Sequence, residues 1–488
     1  MSDIKKRRII YNDDSDSRRS EAAKGGKEAF LAERFNWTLD SQVDSYFWCI
    51  GNGMSPAFGV PDPAGLGDAD QMMLDAAHGA GMEIFASLRM NDTHDSVFRQ
   101  FLAPIKLERP DLLCAEDLKY PRDSILHLTW SAFDYAKEEV RKMRLDFIEY
   151  NCSKYDWDGF EMDFCRFRRY FRIGDEEKNA HIMTDFVGQV RAMLNKIGMK
   201  RGRPYLLAVR APENIHYSNR LGLDIVKWVS NGWIDLIIAG DGLKPFSFPL
   251  KELIDLGHRF GLPVYSCISM AQFEPDNTGD DRMLERVRAA VSNRWLENPD
   301  GIYFFNLCCM MNSRNPVLAA ELRKLLFEIG TPETLRGLDK VYESESVPHW
   351  ADWQINSPPN LLPARLIDDV PLPMFVGDPI EGAMVSGSIK DITLRVRITG
   401  IKDEENVEVR LNGAAVGVVG RMTVEGMSIG AFDHSRGTWF DAPITSVILK
   451  QGYNEVNVRP STGSWGCMST MVAEVQLVVN YLRDEKSA

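Results

Sequence analysis

The feature that most constrains the fold is an eightfold alternation, before residue 331, between a short apolar run and a stretch with helical spacing. The predicted strands lie at residues 8–12, 43–50, 83–91, 155–167, 205–211, 233–240, 263–270 and 301–307. The last two are nearly continuous apolar runs, which is typical of parallel strands covered by helices. Because no hairpin signal separates the units, the pattern favours an α/β chain with a (β/α)8 TIM barrel over residues 1–330 rather than an open sheet.

One connection in this series is much longer than the others. Residues 92–129 separate the third strand from the next helix, and connections of that length usually carry function or structure of their own. We expect the helix that follows to begin at Ser131, with Asp134 three residues further on in a capping-box arrangement.

The fourth strand carries acidic residues on one face only. Glu161 and Asp163 share that face, whereas Phe160, Met162 and Phe164 share the other, because side chains alternate along a strand. Carboxylates are costly in apolar surroundings unless they are paired or used. A barrel strand satisfies both faces when helices cover its outside and its C-terminal end opens into a polar cavity. The alternative is an ion-paired acidic strand with a structural role alone.

This segment resembles a strand of the barrels in the glycosyl hydrolase-like family 10 group, which has the form D-G-(I/F)-E-x-D-(F/Y)-x-R-(F/Y). The matching residues are Asp158, Gly159, Phe160, Glu161, Asp163, Phe164, Arg166 and Phe167. Residues 8–14 and 89–92 resemble the same group more faintly, and the resemblance extends over residues 5–330. It implies a barrel of the glycoside hydrolase type with a carbohydrate as its substrate.

Charge and composition exclude several classes of partner. The chain has 488 residues, of which 44% are hydrophobic and 26% charged, and these proportions are normal for globular domains. A net charge of −13 argues against nucleic acid and against an anionic membrane surface as partners. No apolar run reaches the length of a membrane span, and no apolar core follows the basic N-terminal residues. We therefore expect a cytoplasmic protein, although a signal peptide removed from the chain would leave the same sequence.

The cysteines and histidines give no indication of a metal site. The eight cysteines include no C-x-x-C pair, which predicts reduced, buried thiols rather than disulfides or zinc ligands. Asp92 and His94 are close in sequence, but the H-x-H and H-x-x-x-H spacings of metal sites are absent. We expect neither a metal nor another cofactor, and the sequence does not indicate an oligomeric state.

The residues after 330 follow a different pattern. Prolines gather over residues 331–366, which we interpret as a linker, and short Val-, Ile- and Thr-rich runs follow over residues 367–488. The predicted strands are residues 392–398, 407–411, 444–449, 454–459 and 472–479, an arrangement typical of an antiparallel β-sandwich. Trp439, Tyr453 and Trp465 are candidates for binding sugar, but a sandwich that only packs on the barrel is the preferred interpretation.

The candidate active-site residues follow the predicted barrel strands, because the C-terminal strand ends form the active face of this fold. They are Asp13, Asp14, Arg89, Asn91, Asp92, Glu161, Asp163, Arg166, Arg210, Glu213, Asp241 and Asn306. Several carboxylates with a few arginines suit glycoside hydrolysis, in which one acid protonates the leaving oxygen and a second stabilises or attacks the sugar. Close carboxylates also push their pKa values apart, which supplies an acid and a base near neutral pH.

Roles can be assigned to four of these carboxylates. Asp163 lies furthest along its strand and is the expected nucleophile or base. Alpha-amylase barrels have a similar fourth-strand motif with such an aspartate and a fifth-strand glutamate as the acid, a role that Glu213 would take here. Asp241, after the sixth strand, is the other candidate acid, and Glu161 lies one step deeper, where it would orient Asp163 or an arginine. Retaining and inverting outcomes both remain open.

Four arginines directly after the acidic strand suggest an anionic glycan, either sulfated or rich in uronate. Arg166, Arg168 and Arg169 are the expected anion contacts, with His94 and Trp130 as further substrate contacts. The alternative is that the arginines pair with the acidic residues at 175–177. Overall the sequence favours a glycoside hydrolase acting on a polysaccharide or oligosaccharide. A glycan-binding barrel without hydrolysis is the alternative, and a metal-dependent isomerase or lyase would need ligands that we cannot assemble.

Overall fold

The computed structural model describes residues 5–14, 24–51, 67–117, 119–121, 124–246, 249–273, 282–310, 316–344, 361–403, 405–425, 436–461 and 469–482. Its N-terminal part is a closed barrel of eight parallel strands in chain order, which confirms the predicted TIM barrel. The barrel strands are β1 (Ile9–Asp13), β2 (Val43–Gly51), β3 (Glu83–Arg89), β4 (Gly159–Asp163), β5 (Leu206–Ala211), β6 (Leu236–Ala239), β7 (Val264–Ser269) and β8 (Gly301–Phe305).

Helices surround the barrel and fill its connections. In chain order they are α1 (Gly26–Arg34), α2 (Ala69–Gly79), α3 (Pro104–Glu108), α4 (Ile125–Leu128), α5 (Glu138–Lys154), α6 (Glu176–Arg201), α7 (Ile215–Arg220), α8 (Ile225–Ser230), α9 (Lys251–Arg259), α10 (Met283–Leu296), α11 (Leu307–Met310), α12 (Pro316–Glu328) and α13 (Pro332–Leu335). In the part of the chain that the structure describes, no helix combines the length and the apolar character needed to cross a bilayer.

Strand β4 has the two-sided character that its sequence predicts. Phe160 and Met162 are fully buried in the large apolar cluster between the strands and the outer helices. Glu161 points into the barrel, where it meets side chains of β3 and β8. The glycine that begins the strand is required by packing, because a Cβ on Gly159 would lie 2.1 Å from the ring of Phe85 inside the barrel.

The long connection after β3 is ordered by buried polar contacts, and the predicted start of the next helix is wrong. Helix α5 begins at Glu138 rather than at Ser131. Ser131 Oγ donates instead to Asp95 Oδ1 at 2.5 Å, and Asp95 forms a buried ion pair with Lys106 at 2.6 Å. Asp134 accepts the amide of Ala136, so both residues of the apparent capping box stabilise the connection.

The C-terminal part contains antiparallel sheets, as predicted for a β-sandwich. One sheet has the order β10 (Ala364–Arg365), β18 (Met471–Tyr481), β12 (Ile389–Thr399), β16 (Arg436–Pro443) and β15 (Gly420–Glu425), and β9 (Lys340–Ser344) also pairs with β18. The other has the order β11 (Val370–Val376), β17 (Gly452–Pro460), β13 (Val407–Leu411) and β14 (Ala414–Val416). A short helix, α14 (Ile380–Val385), connects the two sheets between β11 and β12.

Two details of this part differ from the sequence prediction. Residues 444–449 form no strand; Ile444 and Leu449 are buried, so this apolar run marks packing rather than pairing, and the strand lies just before it. Trp439 is also buried, with Arg395 at 4.5 Å over its ring, and it presents no free face to a sugar. Tyr453 is exposed, and the predicted Trp465 lies outside the described residues.

The sandwich packs directly on helix α10 of the barrel. Arg286 on α10 forms an ion pair with Glu343 on β9 at 2.7 Å, and Asn293 Nδ2 donates to the carbonyl of Phe375 at 3.0 Å. The backbones approach so closely that a Cβ on Gly377 would lie 2.3 Å from the carbonyl carbon of Ser292. These contacts give the sandwich a packing role on the barrel.

Candidate active site at the barrel mouth

The register of three neighbouring strands places three predicted site residues in one row. Arg89 on β3 pairs with Asp163 on β4, and Asp163 pairs with Arg210 on β5. Asp163 Oδ2 accepts from Arg210 Nη1 at 3.1 Å, while its Oδ1 accepts the amide of Cys165 at 2.8 Å. The guanidinium of Arg210 lies 3.9 Å from the centre of the Phe305 ring, which fixes its position from the opposite side of the barrel.

A second group joins the loops after β4, β5 and β6 around one buried arginine. Arg168 Nη2 donates to Glu213 Oε1 at 2.5 Å and to Asp241 Oδ2 at 2.7 Å, and Nη1 donates to Glu213 Oε2 at 2.8 Å. Asp241 is held further by the amide of Leu243, which donates to its other oxygen at 2.9 Å. The two carboxylates predicted as alternative acids therefore lie side by side.

The environment of this pair separates the two pKa values. Burial, and next the negative charge of Glu213, raise the pKa of Asp241 to about 6 against the opposing charge of Arg168. Burial acts in the same direction on Glu213, but the charge and hydrogen bonds of Arg168 outweigh it and lower the pKa of Glu213 to about 2. Of the two, Asp241 is therefore the member that holds a proton to the higher pH and can release it to a substrate.

Glu161 lies one layer below Asp163, inside the barrel, and is completely buried. Its Oε2 accepts from Ser87 Oγ at 2.5 Å and from Tyr303 Oη at 3.0 Å, whereas Oε1 has no hydrogen-bond partner. Burial, followed by the charge of Asp163, raises the pKa of Glu161 to about 8. Because it retains its proton at neutral pH, Glu161 is not placed to act as an ionised nucleophile, and it supports the layer above it.

A third group occupies the mouth beside β1 and β3. Arg89 contacts Asp14 Oδ1 at 2.5 Å and Asp92 Oδ2 at 2.8 Å. His94 Nδ1 lies 2.6 Å from the other oxygen of Asp92, and His94 Nε2 lies 3.0 Å from Arg166 Nη2. Although burial opposes it, contacts with His94 and Arg89 hold the pKa of Asp92 well below its usual range.

Two other predicted site residues are placed away from the mouth. Asp13 faces outward from β1, where it accepts from Arg34 on α1 at 2.9 Å and from the Tyr46 hydroxyl at 2.6 Å. Asn91 is fully buried and exchanges hydrogen bonds with the backbone of Phe133, so it secures the connection after β3. Both residues have a structural role in place of the predicted contact with substrate.

Arg169 and Trp130 pack within or against the long connection rather than in the open mouth. Arg169, in the loop after β4, donates to the carbonyls of Leu126 and Cys114 in that connection at 3.3 Å. Trp130 is 4% exposed, and Arg99 lies 4.9 Å from the centre of its ring, so its faces are covered. Asn306 directly follows β8 with a positive φ of 62°.

Three residues that position the site were not predicted. Ser87 and Tyr303 hold Glu161, and Phe305 lies against Arg210. Each occupies an inward-facing strand position, so the alternation of β3 and β8 contained the signal. The strand register needed to connect them with β4 and β5 could not be derived from the sequence.

Comparison with known proteins gives remote structural similarity alone. No family model matches the chain, and no curated protein matches it. Its structure is similar to a glycoside hydrolase family 18 N-acetylglucosaminidase from Paenibacillus barengoltzii, at 10% identity and a TM-score of 0.37, over 65% of this chain and 98% of that one. It is also similar to a family 18 chitinase from Cycas revoluta in complex with (GlcNAc)3, at 10% identity and a TM-score of 0.39, over 66% of this chain and 99% of that one.

An alpha-L-fucosidase from Paenibacillus thiaminolyticus has 12% identity and a TM-score of 0.43, with 66% of this chain and 49% of that one covered. Similarity at this level assigns no activity to the chain. The resemblance to the glycosyl hydrolase-like family 10 group therefore stays a prediction.

Proposed function

We propose that this protein is a glycoside hydrolase that acts on a polysaccharide or oligosaccharide at the barrel mouth. The observation that carries the proposal is the placement of two buried carboxylates, Asp241 and Glu213, side by side on Arg168 at the C-terminal ends of barrel strands. Burial and the charge of Glu213 raise the pKa of Asp241, and glycoside hydrolysis needs a carboxylic acid with a raised pKa beside carboxylates that are ionised.

In this proposal Asp241 is the general acid. Its proton passes to the glycosidic oxygen as the bond between that oxygen and the anomeric carbon breaks, and the electron pair of the bond stays on the oxygen. Glu213 does not take the acid role, because Arg168 binds both of its oxygens and keeps it ionised. Its negative charge is instead one of the causes that keep the proton on Asp241.

Asp163 is the proposed nucleophile or base on the other side of the bond. It shares Arg210 with the acid, because Arg210 Nη1 donates to Asp163 Oδ2 at 3.1 Å and Nη2 donates to the backbone carbonyl of Asp241 at 3.1 Å. Arg210 thus fixes the position of Asp163 relative to Asp241, the two residues proposed to act on opposite sides of the glycosidic bond. Positive charge develops on the sugar in the transition state, and an adjacent carboxylate stabilises it.

One observation favours a second function, the binding of a glycan without hydrolysis. Asp14, Asp92, Asp163, Glu213 and Asp241 each contact an arginine, which is the pattern expected if the acids had been retained for structure. A hydrolase and a binding protein of this kind differ in turnover, not in affinity.

The test is hydrolysis of a panel of polysaccharides and aryl glycosides by wild type and by Asp163→Asn. We expect the wild type to release reducing ends from at least one member and the variant to lose at least about a hundredfold in rate. Asp185→Asn, at an exposed position on α6, is the matched control and keeps its activity. Binding without turnover by wild type would support the second function, and full activity of a folded Asp163→Asn would refute the assignment.

A further inference from the structure

Among the residues that the structure describes, one arginine at the barrel mouth, Arg166, forms no ion pair with a carboxylate, unlike its neighbours. Arg89, Arg168 and Arg210 each form ion pairs with one or two carboxylates of the site. The Arg166 guanidinium instead contacts His94 Nε2 at 3.0 Å and lies 5.1 Å from the centre of the Phe167 ring. Among the described residues, its buried Nε has no hydrogen-bond partner.

The histidine beside it is fixed in one tautomer. Contacts with His94, followed by Arg89, hold the pKa of Asp92 low against its burial, and Asp92 faces His94 Nδ1 at 2.6 Å, so that nitrogen carries the hydrogen. The other ring nitrogen therefore presents its lone pair to Arg166. Phe167 packs edge-on against the imidazole with ring centres 4.7 Å apart and holds the ring in place.

We infer that Arg166, together with His94, binds an anionic substituent of the glycan, a carboxylate of a uronate residue or a sulfate ester. The inference rests on the proposed function, since it names the chemistry of the substrate at that site. A guanidinium presents planar pairs of N–H groups that match both oxyanions, and among the described residues no carboxylate forms an ion pair with half-buried Arg166. Burial, followed by the positive charge of Arg89, lowers the pKa of Arg166. A bound anion would offset both effects, because it stabilises the charged guanidinium.

The position of Arg166 also fits a substituent on the sugar that reacts. Arg166 is three residues after Asp163 in the chain, and the charges of Arg89, Asp14, Asp92 and Arg210 act on its guanidinium, so it belongs to the same mouth. The other arginines of the predicted basic run are not available in this way. Arg168 is neutralised by Glu213 and Asp241, and Arg169 donates to backbone carbonyls.

Direct binding of simple anions tests this inference without any need for turnover. Sodium sulfate and sodium glucuronate are titrated separately into wild type, Arg166→Met and Arg172→Met by calorimetry, with sodium chloride holding the ionic strength constant. We expect saturable binding by wild type and a loss of at least about tenfold in affinity in Arg166→Met, because a charge-assisted hydrogen bond contributes about that much. Arg172, which is half exposed and lies 3.5 Å from Asp134, is the control that keeps wild-type affinity.

The two anions separate the two sources of charge. Binding of sulfate alone indicates a sulfate ester, binding of glucuronate alone indicates a uronate, and binding of both supports the shared chemistry. Ring ¹⁵N shifts of His94, assigned with His94→Gln, give a second measurement that does not depend on the folding of Arg166→Met. Anion-dependent shifts at Nε2 support the inference.

The inference is overturned if wild type binds neither anion saturably, or if a folded Arg166→Met binds as tightly as wild type. Hydrolysis of neutral glycans by a protein that binds no anion would leave the proposed function standing and remove this inference alone. Anion binding without hydrolysis of any glycan would remove the proposed function instead.

Discussion

Replacing Glu161 by glutamine should change how the stability of the barrel depends on pH. The folded protein retains the proton on Glu161 up to a pKa of about 8, whereas an unfolded chain releases it near the ordinary glutamate value. The stabilisation that this proton provides is complete below about pH 4 and is lost as pH rises through about 8. Glutamine cannot ionise, so the variant does not incur this loss.

The magnitude follows from the interval between the two pKa values. Between pH 5 and pH 9 the wild type should lose roughly 4 kcal/mol of unfolding free energy through this group alone, since each pKa unit corresponds to about 1.4 kcal/mol. Urea unfolding at both pH values measures the free energy of wild type and of Glu161→Gln. We expect the free energy of unfolding of Glu161→Gln, relative to that of wild type, to increase by several kcal/mol from pH 5 to pH 9.

The prediction for Glu161→Gln needs a control variant at an exposed glutamate. Glu149→Gln, at an exposed position on α5, should follow the wild type at both pH values. If the difference between Glu161→Gln and wild type were the same at pH 5 and pH 9, Glu161 would already be ionised in the folded protein, and the reasoning from its burial would be refuted.

Three further predictions concern the site and the fold. Glu213→Gln removes a charge that raises the pKa of Asp241, so the alkaline limb of the pH profile of kcat/KM should move to lower pH; an unchanged limb would exclude Asp241 as the acid. Gly159→Ala should cost about 1 to 3 kcal/mol in urea unfolding, because its Cβ would meet the Phe85 ring, and wild-type stability would contradict that packing. Arg34→Met should lower stability by about 3 to 5 kcal/mol, since it removes the arginine from a buried carboxylate of β1, yet leave the turnover of folded protein unchanged; reduced turnover would place that carboxylate in the site.

The sequence predicted the barrel well because each of its strands had a clear apolar pattern followed by a helix. It also predicted which residues of β4 face inward, since alternation along a strand is a local property. The same rule could have separated Asp13 from Asp14, which face opposite sides of the chain at the end of β1. Separating them requires the exact end of the strand, which the sequence does not give.

The partners of the loop residues could not be predicted in this way. Arg166, Arg168 and Arg169 are nearly adjacent in sequence, but one contacts a histidine, one two carboxylates and one backbone carbonyls. Those partners come from connections more than 30 residues away, and loop geometry determines which arginine reaches which partner. The predicted helix start at Ser131 was wrong for a related reason. The Ser131 hydroxyl binds Asp95 of the same connection and does not cap a helix.

The central claim, that Asp241 donates the proton to the leaving group, is tested most directly by the leaving-group dependence of Asp241→Ala. The rate of hydrolysis is measured on the best natural glycan and on an aryl glycoside of the same sugar with an activated phenol, for wild type and for the variant. We expect a loss of at least about a hundredfold on the natural glycan and a much smaller loss on the activated substrate, which needs little protonation. An equal loss on both substrates, by a variant that remains folded, would contradict it.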